Sequence, residues 1–227
     1  MARDPFARII RRQRWQARLE GWRRAAARPL RPSRIRADRP GPPNLLLLGV
    51  DTLRADHLGS GGCPRPVSPR QDAFAARGTV FGDVTAASPW TLPSFASALS
   101  GVMPGLHGGF LAGATRNMDT QPPQRLGGDV VTLATHLRTE GYATAAFYSN
   151  QFFAFGLAES FDRHEYHNLA AGDLAAVALE WVRRHADRPF FCFVLFNDPH
   201  EPTTPAPADL REFVAPGTDE ALLRGLA

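Results

Sequence analysis

The chain is expected to fold as an α/β sandwich around a mostly parallel central sheet. Two apolar runs of strand length point there: NLLLLGVD, from Asn44, and PFFCFVLFND, from Pro189, each ending in an acid. Between them, segments of helical period alternate with short β-like runs. Such alternation is the sequence signature of parallel strands joined by crossover helices.

Taken in order, NLLLLGVD lacks any polar alternation and predicts a strand buried on both faces. SPRQDAFAARG predicts a short helix closed by Gly78, and TVFGDVTA, residues 79–86, predicts a strand after it. A helix is expected over Ser94–Leu99. Over residues 129–140, DVVTLATHLRTE places Val130, Leu133, Ala134 and Leu137 at helical spacing, with Gly141 as the stop. YATAAFYSN then reads as a strand. DLAAVALEWVRRHA, residues 173–186, is the clearest amphipathic helix, with Asp173 as its N-cap. PFFCFVLFND is the second buried strand, with Cys192 as a small apolar core residue. Beyond it the chain reads as loop and then as weak helix.

Charge divides the chain. Residues 1–43 carry 13 Arg against Asp4, Glu20 and Asp38, a net +10, whereas the remainder carries 13 Arg and 19 acids, a net −6. The basicity therefore belongs to an Arg/Pro-rich tail and linker (1–43), and the globular part is mildly acidic. No basic stripe with interleaved aromatics follows, so nucleic acid is not expected as a partner. The tail itself leaves two readings open. One is a basic helix, with Trp15, Leu19, Trp22 and Ala26 on one face, resting on an anionic membrane or a protein partner. The other is a locally packed or poorly ordered extension. No segment has the apolar length of a membrane span and no signal-like apolar region follows Arg11 and Arg12, so a cytoplasmic location is expected. Cys63 and Cys192 make neither a disulfide framework nor a metal-spaced pair.

Ligands of parallel sheets gather at the carboxyl ends of the strands. Asp51 ends the first strand; Asp198 and His200 follow the last. In SPWTLPSFASALSG, Thr91 stands at the start of a helix, where free N–H groups and the dipole favour an anion. Thr91 can be a helix cap, and it can be a nucleophile.

Order and spacing add to this. PNLLLLGVDTLRADHLG, SPWTLPSFASALSGVMPGLHG, TLATHLRTEGYATAAFYSN and FNDPHEPTTPAP, in that sequence, resemble the sulfatase family of the alkaline-phosphatase-like superfamily. The resemblance implies an alkaline-phosphatase-like sandwich over residues 44–227 whose C-terminal part is missing. It implies Asp51 as a ligand of a divalent metal (Ca, Mg, Mn or Zn), Thr91 as the catalytic nucleophile, and His200 as a second catalytic residue near the substrate anion. Asn150 and His107 are implied as substrate-binding residues. It also implies a metal-dependent hydrolase of sulfate or phosphate esters. The alternatives are a phosphoryl-group transferase of the same superfamily and a truncated, non-catalytic remnant or interaction protein. Two departures matter. Sulfatases proper carry Cys or Ser, matured to formylglycine, where Thr91 stands, and Arg where Phe95 stands; Thr cannot be so matured. And one Asp cannot hold a metal, so the chain alone is expected to lack a complete metal site.

Overall fold

The computed structural model describes residues 41–109 and 124–203, together with residues 205, 209 and 213. The readings of the basic tail up to residue 40 and of most of the C-terminal stretch lie outside these residues. The chain divides into two compact units, one formed by residues 1–49 with 83–196, the other by residues 50–82 with 197–227.

The first unit is built on a four-stranded sheet. Its strands are β1 (Leu45–Val50), β2 (Ala143–Tyr148), β3 (Arg163–Tyr166) and β4 (Phe190–Phe196), in the spatial order β1-β4-β2-β3. β2 pairs in parallel with β4, Ala143 opposite Phe190 through Tyr148 opposite Leu195, and in parallel with β3. Asn44 Oδ1 accepts the Phe190 N–H at 3.2 Å, tying the start of β1 to the start of β4.

Strand alternation sorts the core into two layers. Phe191, Phe193 and Leu195 of β4, with Ala146 and Tyr148 of β2, face the helices α2 (Thr91–Ser100) and α4 (Leu133–Thr139). There they meet Leu92, Ala96, Leu99, Ala134 and Leu137. Phe190, Cys192 and Val194, with Ala145 and Phe147, face α5 (Ala171–Arg184) through Leu174, Ala178 and Trp181. Helices on both faces of a parallel sheet make the expected sandwich. Phe153, fully buried, is the hub of the first layer. Its ring lies 4.9 Å from that of Phe193, 5.0 Å from Tyr148, 6.3 Å from Phe161 and 6.4 Å from Phe95.

Five local expectations need correction. β1 is not buried: Leu46, Leu47 and Leu48 are 55, 41 and 56% exposed. It forms the edge of the sheet, and among the described residues no further strand pairs with it, so hydropathy predicted a central position that topology does not give it. Residues 79–86 form no strand, and Val80, Phe81 and Val84 are exposed. β-propensity makes a strand only where a neighbour supplies a ladder. β3 went unpredicted because RHEY is short and polar, as an edge strand tends to be. α5 begins two residues before Asp173, after an Ala170 cap without a side-chain bond; Asp173 sits in the first turn, facing the positive end of the helix dipole. Finally, α2 begins at Thr91, with Trp90 as its N-cap, so Thr91 is the first helical residue and not the cap.

The second unit holds tight turns at Ala55–His57 and Gly59–Gly61, the helix α1 (Pro69–Ala75), and the segment after β4. Buried Ser68 organises it: its Oγ accepts the Gly59 N–H and donates to Asp72 Oδ2, both at 2.9 Å. Asp72 Oδ1 in turn accepts the Ser60 N–H. A side chain at Gly61 would collide with the Ala55 carbonyl, so the tight turn requires glycine there. Among the described residues no helix is long and apolar enough to cross a membrane.

Candidate active site

The site is built where β2 ends and α2 begins. Trp90 is extended and Thr91 opens the helix, with Pro93 in the first turn, where a missing N–H costs no helical bond. Gly101 closes α2 in the left-handed region (φ 70°), its N–H on the Ser97 carbonyl at 2.8 Å. Without a Cβ it adopts that φ at no steric cost. Thr91 is 5% exposed, held at the helix start by Leu92 and Pro93, both buried.

At the end of β2, the Ser149 N–H and Oγ both reach the Leu195 carbonyl. Asn150 then caps a single 3₁₀ turn, Gln151–Ala154, its Oδ1 accepting the Phe152 N–H at 2.9 Å. That bond fixes the amide's orientation. The other end, Nδ2, donates to Thr91 Oγ1 at 3.0 Å, between two residues each about 95% buried. Trp90 and Phe152 meet edge to face at 5.8 Å beside this bond. Thus two residues 59 positions apart, both sequence candidates, are brought into direct contact.

His107 follows from the short helix α3 (Pro104–His107) and is fully buried. Its Nδ1 accepts the Gly109 N–H at 3.0 Å, so the proton sits on Nε2, which contacts Ser97 Oγ at 3.1 Å. Burial pushes its pKa below the usual 6.5, with a backbone hydrogen bond from the ring to Pro93 opposing the shift. Both nitrogens are engaged within the fold, and the ring ties α3 and its following loop to α2. Phe95, at the position where the family's Arg would stand, is a partly buried residue packed against the core. Its ring packs on Phe193 at 5.7 Å and lies so close to Gly49 that a Cβ there would be 3.0 Å away.

The second unit carries Asp51, Asp198 and His200. Asp51 is 8% exposed at the end of β1. Thr52, next to it, has φ 56°, a strained conformation for a β-branched residue, costing about 1–3 kcal/mol. Its hydroxyl donates to the Asp51 carbonyl at 2.8 Å. His200 closes a turn through its N–H to the Asn197 carbonyl, and its Nδ1 donates to the Glu201 carbonyl at 2.7 Å. Asp198 is exposed. A divalent ion needs about four to six donors. Among the described residues no three His, Cys, Asp or Glu side chains stand together as such a group. The described residues therefore do not by themselves make the metal site that the resemblance implies.

The sulfatase family model matches residues 43–221, and the chain belongs to the sulfatase family. It is 38% identical to arylsulfatase A of Bos taurus over 106 residues, 45% of this chain and 20% of that protein. Among solved structures, it resembles BT4656 in complex with its substrate D-glucosamine-2-N,6-O-disulfate. There the TM-score is 0.56 at 20% identity, over 75% of this chain and 37% of the other. It also resembles the phosphonate monoester hydrolase of Agrobacterium radiobacter, with a TM-score of 0.56 at 20% identity, over 74% of this chain and 44% of the other. These likenesses establish the alkaline-phosphatase-like fold. The chain spans a fifth of the length of that arylsulfatase and less than half of either solved chain.

Proposed function

We propose that this chain carries the nucleophile-bearing part of a sulfatase-family hydrolase of sulfate or phosphate esters, with Thr91 as the nucleophile. One observation carries the reading: the Thr91 hydroxyl is buried at the N-terminus of α2 and held by the Asn150 amide. Thr91 Oγ attacks the sulfur or phosphorus, the bond to the ester oxygen breaks, and the alcohol leaves. The α2 N-terminus faces the charge that develops on the non-bridging oxygens. The resulting Thr91 ester then passes to water, or, in a transferase, to a second alcohol. By the family resemblance, His200 is the proposed second catalytic residue and Asp51 the proposed first ligand of a divalent ion, which when bound would lower the pKa of the nucleophile's hydroxyl. His107, buried and engaged on both nitrogens, is assigned to the fold and not to the substrate. Formylglycine chemistry is excluded from this proposal because position 91 is Thr and position 95 is a packed Phe.

A non-catalytic role is the second reading, and it is favoured by the finding that among the described residues no three His, Cys, Asp or Glu side chains form a metal-holding group. Incubation with p-nitrophenyl sulfate or p-nitrophenyl phosphate, followed by acid quench and peptide mass spectrometry, separates the two. A sulfo or phosphoryl group on Thr91, absent from Thr91→Ala, is the expected result. A label on another residue, or unchanged nitrophenol release by Thr91→Ala, refutes the nucleophile. A folded chain that takes no label under any divalent ion supports the non-catalytic reading.

A further inference from the structure

We infer that Asn150 is a positioning residue for the Thr91 hydroxyl, acting through its Nδ2–Oγ1 hydrogen bond from the capped turn at the end of β2. The inference rests on reading Thr91 as the nucleophile, but the geometry behind it is independent of turnover. Asn150 Oδ1 is committed to the Phe152 N–H, so its Nδ2 must face Thr91. An amide N–H can only donate, which makes Thr91 Oγ1 the acceptor. The hydroxyl hydrogen then points away from Asn150, and the bond favours the staggered χ1 well that keeps Oγ1 toward Nδ2.

The same bond has a chemical consequence. When Thr91 gives its proton to a solvent base and becomes the attacking alkoxide, a donor aimed at Oγ favours that charged form. When the covalent ester breaks down, the same oxygen is the leaving group and the same donor serves it. One neutral amide thereby assists both halves of the reaction without itself exchanging a proton. The arrangement is supported from behind: Trp90 and Phe152 pack against each other, and Phe153 anchors the turn in the core.

Two variants test this. Asn150→Ala removes both the cap and the donor. Asn150→Asp keeps an oxygen for the Phe152 N–H, and so keeps the turn, but replaces the donor with an acceptor. Three-bond NMR couplings report the Thr91 χ1 rotamer whether or not the chain turns over. The wild type is expected to show a single rotamer, and Asn150→Ala an averaged one; a single unchanged rotamer in Asn150→Ala overturns the inference. With p-nitrophenyl phosphate or p-nitrophenyl sulfate, Thr91 labelling in Asn150→Ala is expected to slow by about 10- to 100-fold, with half-saturation within about twofold. Asn150→Asp is expected to gain a pH dependence from its new carboxyl that the wild type lacks. Labelling of Asn150→Ala at the wild-type rate, or an Asn150→Asp profile that superimposes on the wild type, overturns the inference while leaving Thr91 as nucleophile. A fixed rotamer in an unlabelled wild type, averaged in Asn150→Ala, supports the positioning and refutes only the nucleophile.

Discussion

Replacing Phe153 by Ala should destabilise the first unit more than almost any other single truncation, and the geometry sets the size. The ring is fully buried and lies within about 6.4 Å of four aromatic neighbours, Phe193, Tyr148, Phe161 and Phe95. Its neighbours come from β2, β4, α2 and the loop before β3, so no single element can shift to close the hole. Removal of a buried Phe side chain costs about 3–5 kcal/mol when the site cannot collapse, and this site belongs at the upper end. Loss of the stacked and tilted ring pairs lies within that range. For a domain of this size each kcal/mol moves Tm by about 2–4 °C, so a loss of about 4–5 kcal/mol should lower the midpoint by roughly 8–20 °C. Phe152→Ala, at a half-buried ring beside it, should cost about 1–2 kcal/mol. Urea titrations followed by tryptophan fluorescence give both numbers. A Phe153→Ala loss below about 2 kcal/mol, or one equal to Phe152→Ala, would show that the ring cluster is not the rigid hub described.

Two further outcomes follow from the burial of titratable groups. His107 has a folded pKa below its unfolded value of 6.5, so the unfolded chain binds the extra proton first. Its contribution is fully present above that pH and falls as pH drops below it, by up to about 1.4 kcal/mol per pH unit. His107→Gln should flatten this acid limb in denaturant titrations run at stepwise pH; an unchanged limb would mean that other groups produce it. Cys192, completely buried, has its thiol pushed up to about 12 by desolvation, whereas Cys63 is half-buried. In native protein a thiol reagent should titrate Cys63 promptly and reach Cys192 only on unfolding; equal rates would contradict the packing of β4 under α5.

The sequence revealed those elements whose pattern depends only on themselves. β4, with seven residues and six of them buried, is apolar on both faces because helices cover both, and PFFCFVLF says so directly. α5 and β2 were equally plain. Where the outcome depended on neighbours, the pattern misled. Four consecutive leucines read as a strand buried on both faces, yet among the described residues β1 lies at the edge, because hydropathy records what a strand could bury and not what is there to bury it. TVFGDVTA had strand composition but no partner; RHEY had a partner but no strand composition. At the site, the residue types were readable and the contacts were not. Thr91 and Asn150 each stood out singly, but nothing local announces a bond across 59 positions. Nor did anything local show that Phe95 packs against the core beside Gly49, or that His107 is fully buried.

The placement of β1 also has a consequence for synthesis. β1 emerges early, yet it joins the sheet beside β4, and the bond from Phe190 to Asn44 spans 146 positions. At about 5–20 residues per second, a ribosome needs roughly 7–30 s to make that intervening stretch. For all that time LLLLGV lacks β4, its neighbour among the described strands, and its leucines stay open to other apolar surfaces. Among the described strands, β1 is the first to be made and pairs with the last, so a chaperone that covers this leucine run during synthesis should raise the yield of folded protein.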